Sequence, residues 1–411
     1  MTDLAWIEAA LVAARPRAVG ALLRYFRDLD LAEEAFQDAC LKALSAWPSK
    51  GPPRDPAAWL IFVGRNAEVD GVRRRSKSRA LPDERELSDL DDAETPLADR
   101  LDEADYRDDI LRLLFVCCHP DLPSTQQIAL ALRIVSGIPV PRIARAFLVG
   151  ESAMEQRITR AKSKVAAAGV PSEAPGQVER AERLGAVAAM VYLIFNEGYT
   201  APDPASERGG LAEEAIRLGR LLLRLFPAEP EIMALVSLML LQHARAAARF
   251  SASGAAILLD DQDRARWDPK LIAEGLALLD KAMRHGRPGP YQVQAAIAAL
   301  HARSPSADRT DWAGIERLYA TLEHMEPSPV VTLNRAVAVM KARGPEPALA
   351  MIEPLASQLS GYFYFHGLKG ALLKQLGRAS EARAAFSQAV SLANTPAEAA
   401  HIRGQIESLS A

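Results

Sequence analysis

The sequence predicts an all-α protein built from several small helical domains, and three observations lead to that fold class. The 411 residues are 49% hydrophobic yet only 6% aromatic. Alanine and leucine supply most of the apolar content, and both favour helix. Apolar residues recur at three- and four-residue intervals in nearly every apolar stretch, which is the helical period. Charge is also segregated: a formal net charge of −3 conceals an acidic stretch lying between two basic ones. This length suffices for two to four domains with cores of their own.

Leu11–Phe26 reads as the first helix. Over 31–47, Phe36, Cys40, Ala43, Leu44 and Trp47 form one stripe. Glu33, Glu34, Gln37 and Asp38 occupy the other side, and Pro48 is expected to close the helix. In 55–79, Asp55 can cap a helix that Pro56 begins. Trp59, Phe62, Val63, Val69 and Val72 share a face there, and Arg65, Asn66 and Asp70 lie opposite. The segment ends in Arg73, Arg74, Arg75, Lys77 and Arg79. An apolar-backed helix presenting an amide, a guanidinium and a basic tail suits a nucleic-acid backbone with bases nearby. Residues 1–80 therefore make a first helical domain.

Residues 83–109 hold thirteen acidic and three basic side chains, with Pro82 and Pro96 close by. Like charge without large apolar residues predicts a flexible linker over 81–108. A second helical domain spans 109–170, with helices over 109–118, 124–135, 139–147 and 151–167. The last two, joined by Leu148-Val149-Gly150, have the helix-turn-helix pattern, with a glycine in the turn. Ile143, Ala144, Val149, Met154 and Ile158 supply its packing. Gln156, Arg157, Arg160, Lys162 and Lys164 lie on its outer face.

Alanine-rich helices fill 177–411. Small or apolar residues at offsets of zero, four and seven recur as Gly275/Leu279/Ala282, Ile315/Tyr319/Leu322, Ala348/Ile352/Leu355 and Ala382/Phe386/Ala389. The steps are 40, 33 and 34 residues. A helical hairpin with a period near 34 is the tetratricopeptide spacing. Gly370 and Gly377 fall where that repeat puts small residues, and Ala215, Gly219 and Leu222 suggest an earlier unit.

Other clusters argue against chemistry. Cys117-Cys118-His119 cannot make a tetrahedral metal site without a distant ligand. Asp260, Asp261 and Asp263 suit turns and caps. Asn196-Glu197-Gly198-Tyr199-Thr200 reads as a polar helix stop. Neither a phosphate-cradling glycine loop nor a His-Glu-x-x-His pair is present. The expectation is a non-enzyme with no cofactor and no metal. Three cysteines, Cys40, Cys117 and Cys118, are too few for a disulfide framework. Met1–Trp6 shows no basic run before an apolar core, and the apolar run at 185–195 is too short to span a bilayer. A cytoplasmic protein with no membrane association is expected.

These residues together resemble the extracytoplasmic-function (ECF) sigma factors of bacterial RNA polymerase. Leu31-Ala32-Glu33-Glu34-Ala35-Phe36-Gln37-Asp38 looks like the family's polymerase-docking helix. Trp59–Asn66 with Arg73-Arg74-Arg75 looks like its −10-reading helix, and Ile143–Phe147 through Gln156–Lys162 like its −35-reading motif. The chain departs from the commonest pattern in carrying Glu151 and Glu155 on the recognition helix. Residues 115–120 and 196–200 resemble a subgroup with a tetratricopeptide-like C-terminal extension that governs activity.

The resemblance implies core RNA polymerase and promoter DNA as partners, with a protein or peptide as partner of the repeats. It places Glu33, Glu34, Gln37 and Asp38 against polymerase. Asn66 would take a flipped base edge while Arg65, Arg73, Arg74 and Arg75 hold phosphates. Ser152, Glu155, Gln156 and Arg157 would meet base edges, with Arg160 and Lys164 on phosphate. The alternative is a one-component helix-turn-helix regulator with a tetratricopeptide sensor.

Overall fold

The computed structural model describes residues 5–51, 53–76, 103–168, 177–201, 206, 208–251, 256–393 and 396–409. Among these residues it contains eighteen α-helices, short 3-10 turns and no strand. The chain divides into two compact units, Met1–Ile194 and Phe195–Ala411.

In the first unit, α1 (Ala5–Phe26), α2 (Leu29–Lys50) and α3 (Pro56–Ser76) pack against one another. Asp55 starts α3 as expected, its Oδ1 accepting from the amides of Ala57 and Ala58 at 2.9 and 3.1 Å. Leu22, Leu23, Phe36, Trp47, Trp59 and Leu60 are buried. The Trp47 ring lies 5.4 Å from Trp59 and 6.3 Å from Trp6. Pro48 does not close α2, which continues to Lys50. The stop is Gly51 at φ 83°, whose amide donates to the Trp47 carbonyl. Proline removes one backbone donor, which a last turn tolerates, whereas glycine enters the left-handed region freely.

Lys77, Arg79 and most of the acidic linker lie outside the described residues, as do the side chains of Arg73, Arg74 and Arg75. The next helix, α4 (Glu103–Cys117), starts six residues before the expected 109. Charge density alone had concealed this. It is followed by α5 (Ser124–Ile134), α6 (Val140–Ala146) and α7 (Glu151–Ala168). α1 and α4 approach closely at Gly20, where a Cβ would sit 2.7 Å from the Asp109 carbonyl oxygen.

α8 (Gln177–Tyr199) runs across the division between units. Its first part belongs with the first unit: the Cys118 and Met190 sulfurs are 3.3 Å apart, and the Arg183 guanidinium lies 5.4 Å from the Phe115 ring centre.

The second unit continues with α9 (Gly210–Leu225), α10 (Pro230–His243), α11 (Pro269–Met283), α12 (Pro290–Arg303) and α13 (Trp312–Met325). It ends with α14 (Pro329–Arg343), α15 (Pro345–Ile352), α16 (Phe363–Gln375), α17 (Ala379–Ser391) and α18 (Pro396–Glu407). From α9 onward, consecutive helices pack on one another. The offset pattern marks their inner faces. Ala215, Gly219, Leu222, Gly275, Leu279, Ala282, Ile315, Leu322, Ala348, Ile352, Ala382, Phe386 and Ala389 are all buried, while Tyr319 and Leu355 are half-buried. Gly370 belongs to the same logic, since a Cβ there would sit 2.5 Å from the Phe386 ring. Among the described residues, no helix is long and apolar enough to cross a membrane.

Candidate nucleic-acid interface

The helix-turn-helix is assembled from its apolar side. Ile143, Ala144 and Ala146 of α6 and Met154, Ile158, Ala161 and Val165 of α7 are buried. The turn between them falls at Leu148-Val149-Gly150 as expected. Leu148, not Gly150, takes the left-handed conformation, at φ 53°. Its neighbour Val149 donates its amide to the Ala144 carbonyl at 3.0 Å, while Gly150 offers its carbonyl to the Met154 amide at 3.1 Å. The glycine thus sits at the start of α7, and the leucine carries the strain of reversing the chain.

This packing leaves a polar face on α7. Ser152, Glu155, Gln156, Arg160 and Lys164 are exposed, and Arg157 is half-buried. Ser152, Gln156 and Arg160 are spaced one turn apart and share a line along the helix. Arg160 Nη2 donates to Gln156 Oε1 at 3.1 Å, and Lys164 Nζ donates to the Asp121 carbonyl at 3.3 Å. Lys162, expected on this face, turns away. Its Nζ donates to Asp30 Oδ1 at 2.6 Å and to Glu33 Oε2 at 2.7 Å.

The second expected DNA face is on α3. Asn66 is exposed, and the half-buried Arg65 stacks its guanidinium 4.2 Å above the Tyr25 ring. Among the described residues, no hydrogen bond or ion pair joins this pair to the α7 set.

The four residues expected on the polymerase face divide. Glu34, Gln37 and Asp38 are exposed along α2, but Glu33 is only 4% exposed. Its carboxylate is ringed by cations from three other helices. Arg15 Nη2 of α1 lies at 3.1 Å, Arg133 Nη2 of α5 at 3.4 Å and Lys162 Nζ of α7 at 2.7 Å. Arg15 also donates to the carbonyls of Ile134 and Arg133 at the end of α5, where cations suit the helix dipole. Burial draws the Arg15 pKa down, with the Glu33 charge opposing it. Burial acts on Lys162 the same way, but its bonds to Asp30 and Glu33 prevail, so its pKa is raised.

A groove of about 460 Å³ beside this hub is lined by Asp30, Glu33, Arg133, Glu155, Thr159 and Lys162. It sets Glu155, expected at base edges, beside a carboxylate expected on polymerase. Sequence reasoning missed the hub because Arg15 and Ile134 are 119 positions apart, and Glu33 and Lys162 129.

Comparison with known families matches three segments of the chain. Residues 11–78 match the family model described as sigma-70 region 2, and residues 112–165 match sigma-70 region 4. Residues 183–283 match a family of unknown function, DUF6596. An uncharacterized protein of Rhizobium meliloti (strain 1021) is 68% identical over 412 residues, covering 100% of this chain and 97% of that protein. No solved structure matches.

Proposed function

The chain belongs to the sigma-70 family, and from that premise we propose that it acts as a sigma factor of the ECF type whose fused C-terminal unit governs its activity. As a sigma factor it binds promoter DNA. In the proposal, α3 reads the −10 element and α7 the −35 element, while α2 docks on core RNA polymerase in the cytoplasm. The observation that carries this reading is the polar face of α7, where Ser152, Glu155, Gln156 and Arg160 stand exposed over the buried Met154, Ile158 and Ala161. Such a helix, backed by a second across a tight turn, can lie in a major groove with its N-terminal residues at base edges.

On α2, Glu34, Gln37 and Asp38 supply the polymerase face in this proposal, and Glu33 serves the internal hub. On α3, Asn66 is free to meet an extruded base, and Arg65 approaches the backbone from its place on Tyr25. Two short DNA contacts gain affinity once polymerase fixes their spacing. The second unit is read as a tetratricopeptide-like array that engages a partner, since stacked helical hairpins leave a concave binding surface.

The test is run-off transcription in a purified system holding only core polymerase, this chain and promoter DNA. Transcripts from a specific start site are expected. Transcription that stays dependent on another sigma factor, with no capture of core polymerase, would overturn the proposal in favour of a one-component regulator.

A further inference from the structure

In the second unit, several arginines find carboxylates. Arg217 meets Glu214 at 2.6 Å, Arg220 meets Glu274 at 2.6 Å and Arg335 meets Glu323 at 2.8 Å. Three arginines between α10 and α11 do not follow that pattern. Arg245, Arg249 and Arg264 are half-buried, and among the described residues none forms an ion pair. Burial lowers the pKa of Arg249 and Arg264. The acids acting on Arg264 are Asp260 and Asp308, and Asp260 is already held by Lys341 at 2.5 Å.

Aromatic rings and backbone carbonyls hold these guanidinium groups in place, with Arg264 Nη1 donating to the His301 and Ser304 carbonyls at 2.5 and 2.8 Å. Arg245 Nη2 donates to the Tyr199 hydroxyl at 2.6 Å. Arg249 stacks 3.4 Å from the Tyr199 ring centre and donates to the Tyr199 carbonyl. Arg264 lies 4.6 Å from the Trp267 ring centre, and Arg245 lies 5.8 Å from it. Tyr199 itself is fixed by the Asn196–Thr200 segment. Gly198 is pressed so closely on α9 that a Cβ would sit 2.2 Å from the Ala212 amide nitrogen. Arg208 Nε donates to the Glu197 carbonyl at 3.1 Å.

Polar nitrogens in the same neighbourhood lack protein partners. Arg245 Nε, Trp267 Nε1 and His301 Nδ1 are all buried without a hydrogen-bond partner. The Tyr199 hydroxyl accepts from Arg245 and so keeps its own proton to donate. A half-buried cluster of like charges and unfilled donors needs an acceptor-rich anion to offset its desolvation. Guanidinium forks match the paired oxygens of carboxylate and phosphate.

We propose that Arg245, Arg249 and Arg264, backed by Tyr199 and Trp267, form an anion site that takes a carboxylate or phosphate group of a regulatory ligand. The binding stands on these contacts alone, whereas its regulatory role rests on the sigma-factor reading above. The site gives the polar break at Asn196–Thr200 a purpose beyond stopping a helix, since it supplies the ring on which two of the arginines rest.

Binding is measured on the full-length protein, separately from transcription, by calorimetry and intrinsic tryptophan fluorescence. The probes are inorganic phosphate, succinate and a hexapeptide rich in glutamate. Saturable binding of at least one probe is expected, weakened tenfold or more in Arg245→Gln and Arg249→Gln. Arg220→Gln, whose guanidinium is paired with Glu274, keeps wild-type affinity. Preference for phosphate identifies a phosphorylated ligand, and preference for succinate or the peptide a carboxylate one. Should Arg249→Gln fail to fold by circular dichroism, Arg245→Lys decides, because it keeps the charge but loses the fork, and weaker binding is expected. No saturable binding of any probe to the wild type, or equal affinity in the arginine variants, would overturn the site. Failure of run-off transcription with binding intact would remove only the regulatory role.

Discussion

Glu33 carries one charge against three cations, and removing it leaves Arg15 without its carboxylate and Lys162 with Asp30 alone. Breaking a buried pair by deleting one partner costs about 3–5 kcal/mol. Glu33→Gln is therefore expected to destabilise the first unit by that order in urea melts. Asp38→Ala, on an exposed side chain, should change stability by less than about 0.5 kcal/mol while weakening capture of core polymerase. An unchanged melt for Glu33→Gln would mean the hub adds nothing to folding. Asn66 separates in the other direction. As an exposed residue, it can be replaced in Asn66→Ala without moving the melting curve, and promoter opening read by permanganate footprinting should fall. Opening that falls only with the folded fraction would assign Asn66 to packing. The polar side of α2 was legible because helical spacing sets Glu33, Glu34, Gln37 and Asp38 apart from Phe36 and Trp47. Which of the four turns inward was not, since two of its three partners, Arg133 and Lys162, come from helices a hundred or more residues downstream.

At the scale of elements, the loop between α6 and α7 carries a cost that can be removed. A left-handed leucine pays roughly 1–2 kcal/mol that glycine does not, and the Leu148 side chain is 80% exposed, so little packing is lost. Leu148→Gly should raise the melting temperature of the first unit by a few degrees, and a fall would show that the side chain packs more than its exposure indicates. On α7, reversing charge at Arg157, at base edges, and Arg160, on phosphate, should weaken promoter binding and lower its salt dependence, as a phosphate contact contributes nearly one unit of slope. An unchanged slope would take both residues out of the interface. Helices of the first unit were readable from apolar spacing, and in the second unit the offset triplets marked inner faces, with Tyr319 and Leu355 half-buried. Helix ends were read less well. Gly51 rather than Pro48 ends α2, and α4 begins at Glu103, inside the stretch expected as linker. At Pro48 a local signal for breaking structure gave way to a neighbouring residue better suited to the terminus.

For the whole molecule, the placement of α8 decides where the chain can be cut. A protein ending at Ile194 keeps Met190 on Cys118 and Arg183 over Phe115, whereas one ending at Gly169 loses both. The longer fragment should melt with the first unit of the full chain and the shorter one below it. Transcription from both should fall if the C-terminal unit governs activity, and equal activity at matched abundance would end that reading. The second unit has an acid limit of its own. Burial lowers the His301 pKa to about 4, and Arg245 and Arg264 push the same way. The unfolded chain therefore binds this proton first as pH falls, so stability is full above about 6.5 and declines toward 4. His301→Gln should flatten that limb in pH-dependent melts, and an unchanged limb would place the titration elsewhere. The thiols of the first unit carry a different consequence. Burial pushes Cys40 up to about 11, Cys118 up to about 12 and Cys117 well above its ordinary value. Alkylation needs the thiolate, so at neutral pH the adjacent pair Cys117–Cys118 reacts only while α4 is parted from its neighbours. The molecule thus carries its own stopwatch: the rate at which iodoacetamide consumes that pair counts how often the buried face of α4 meets water, with no dye or label attached.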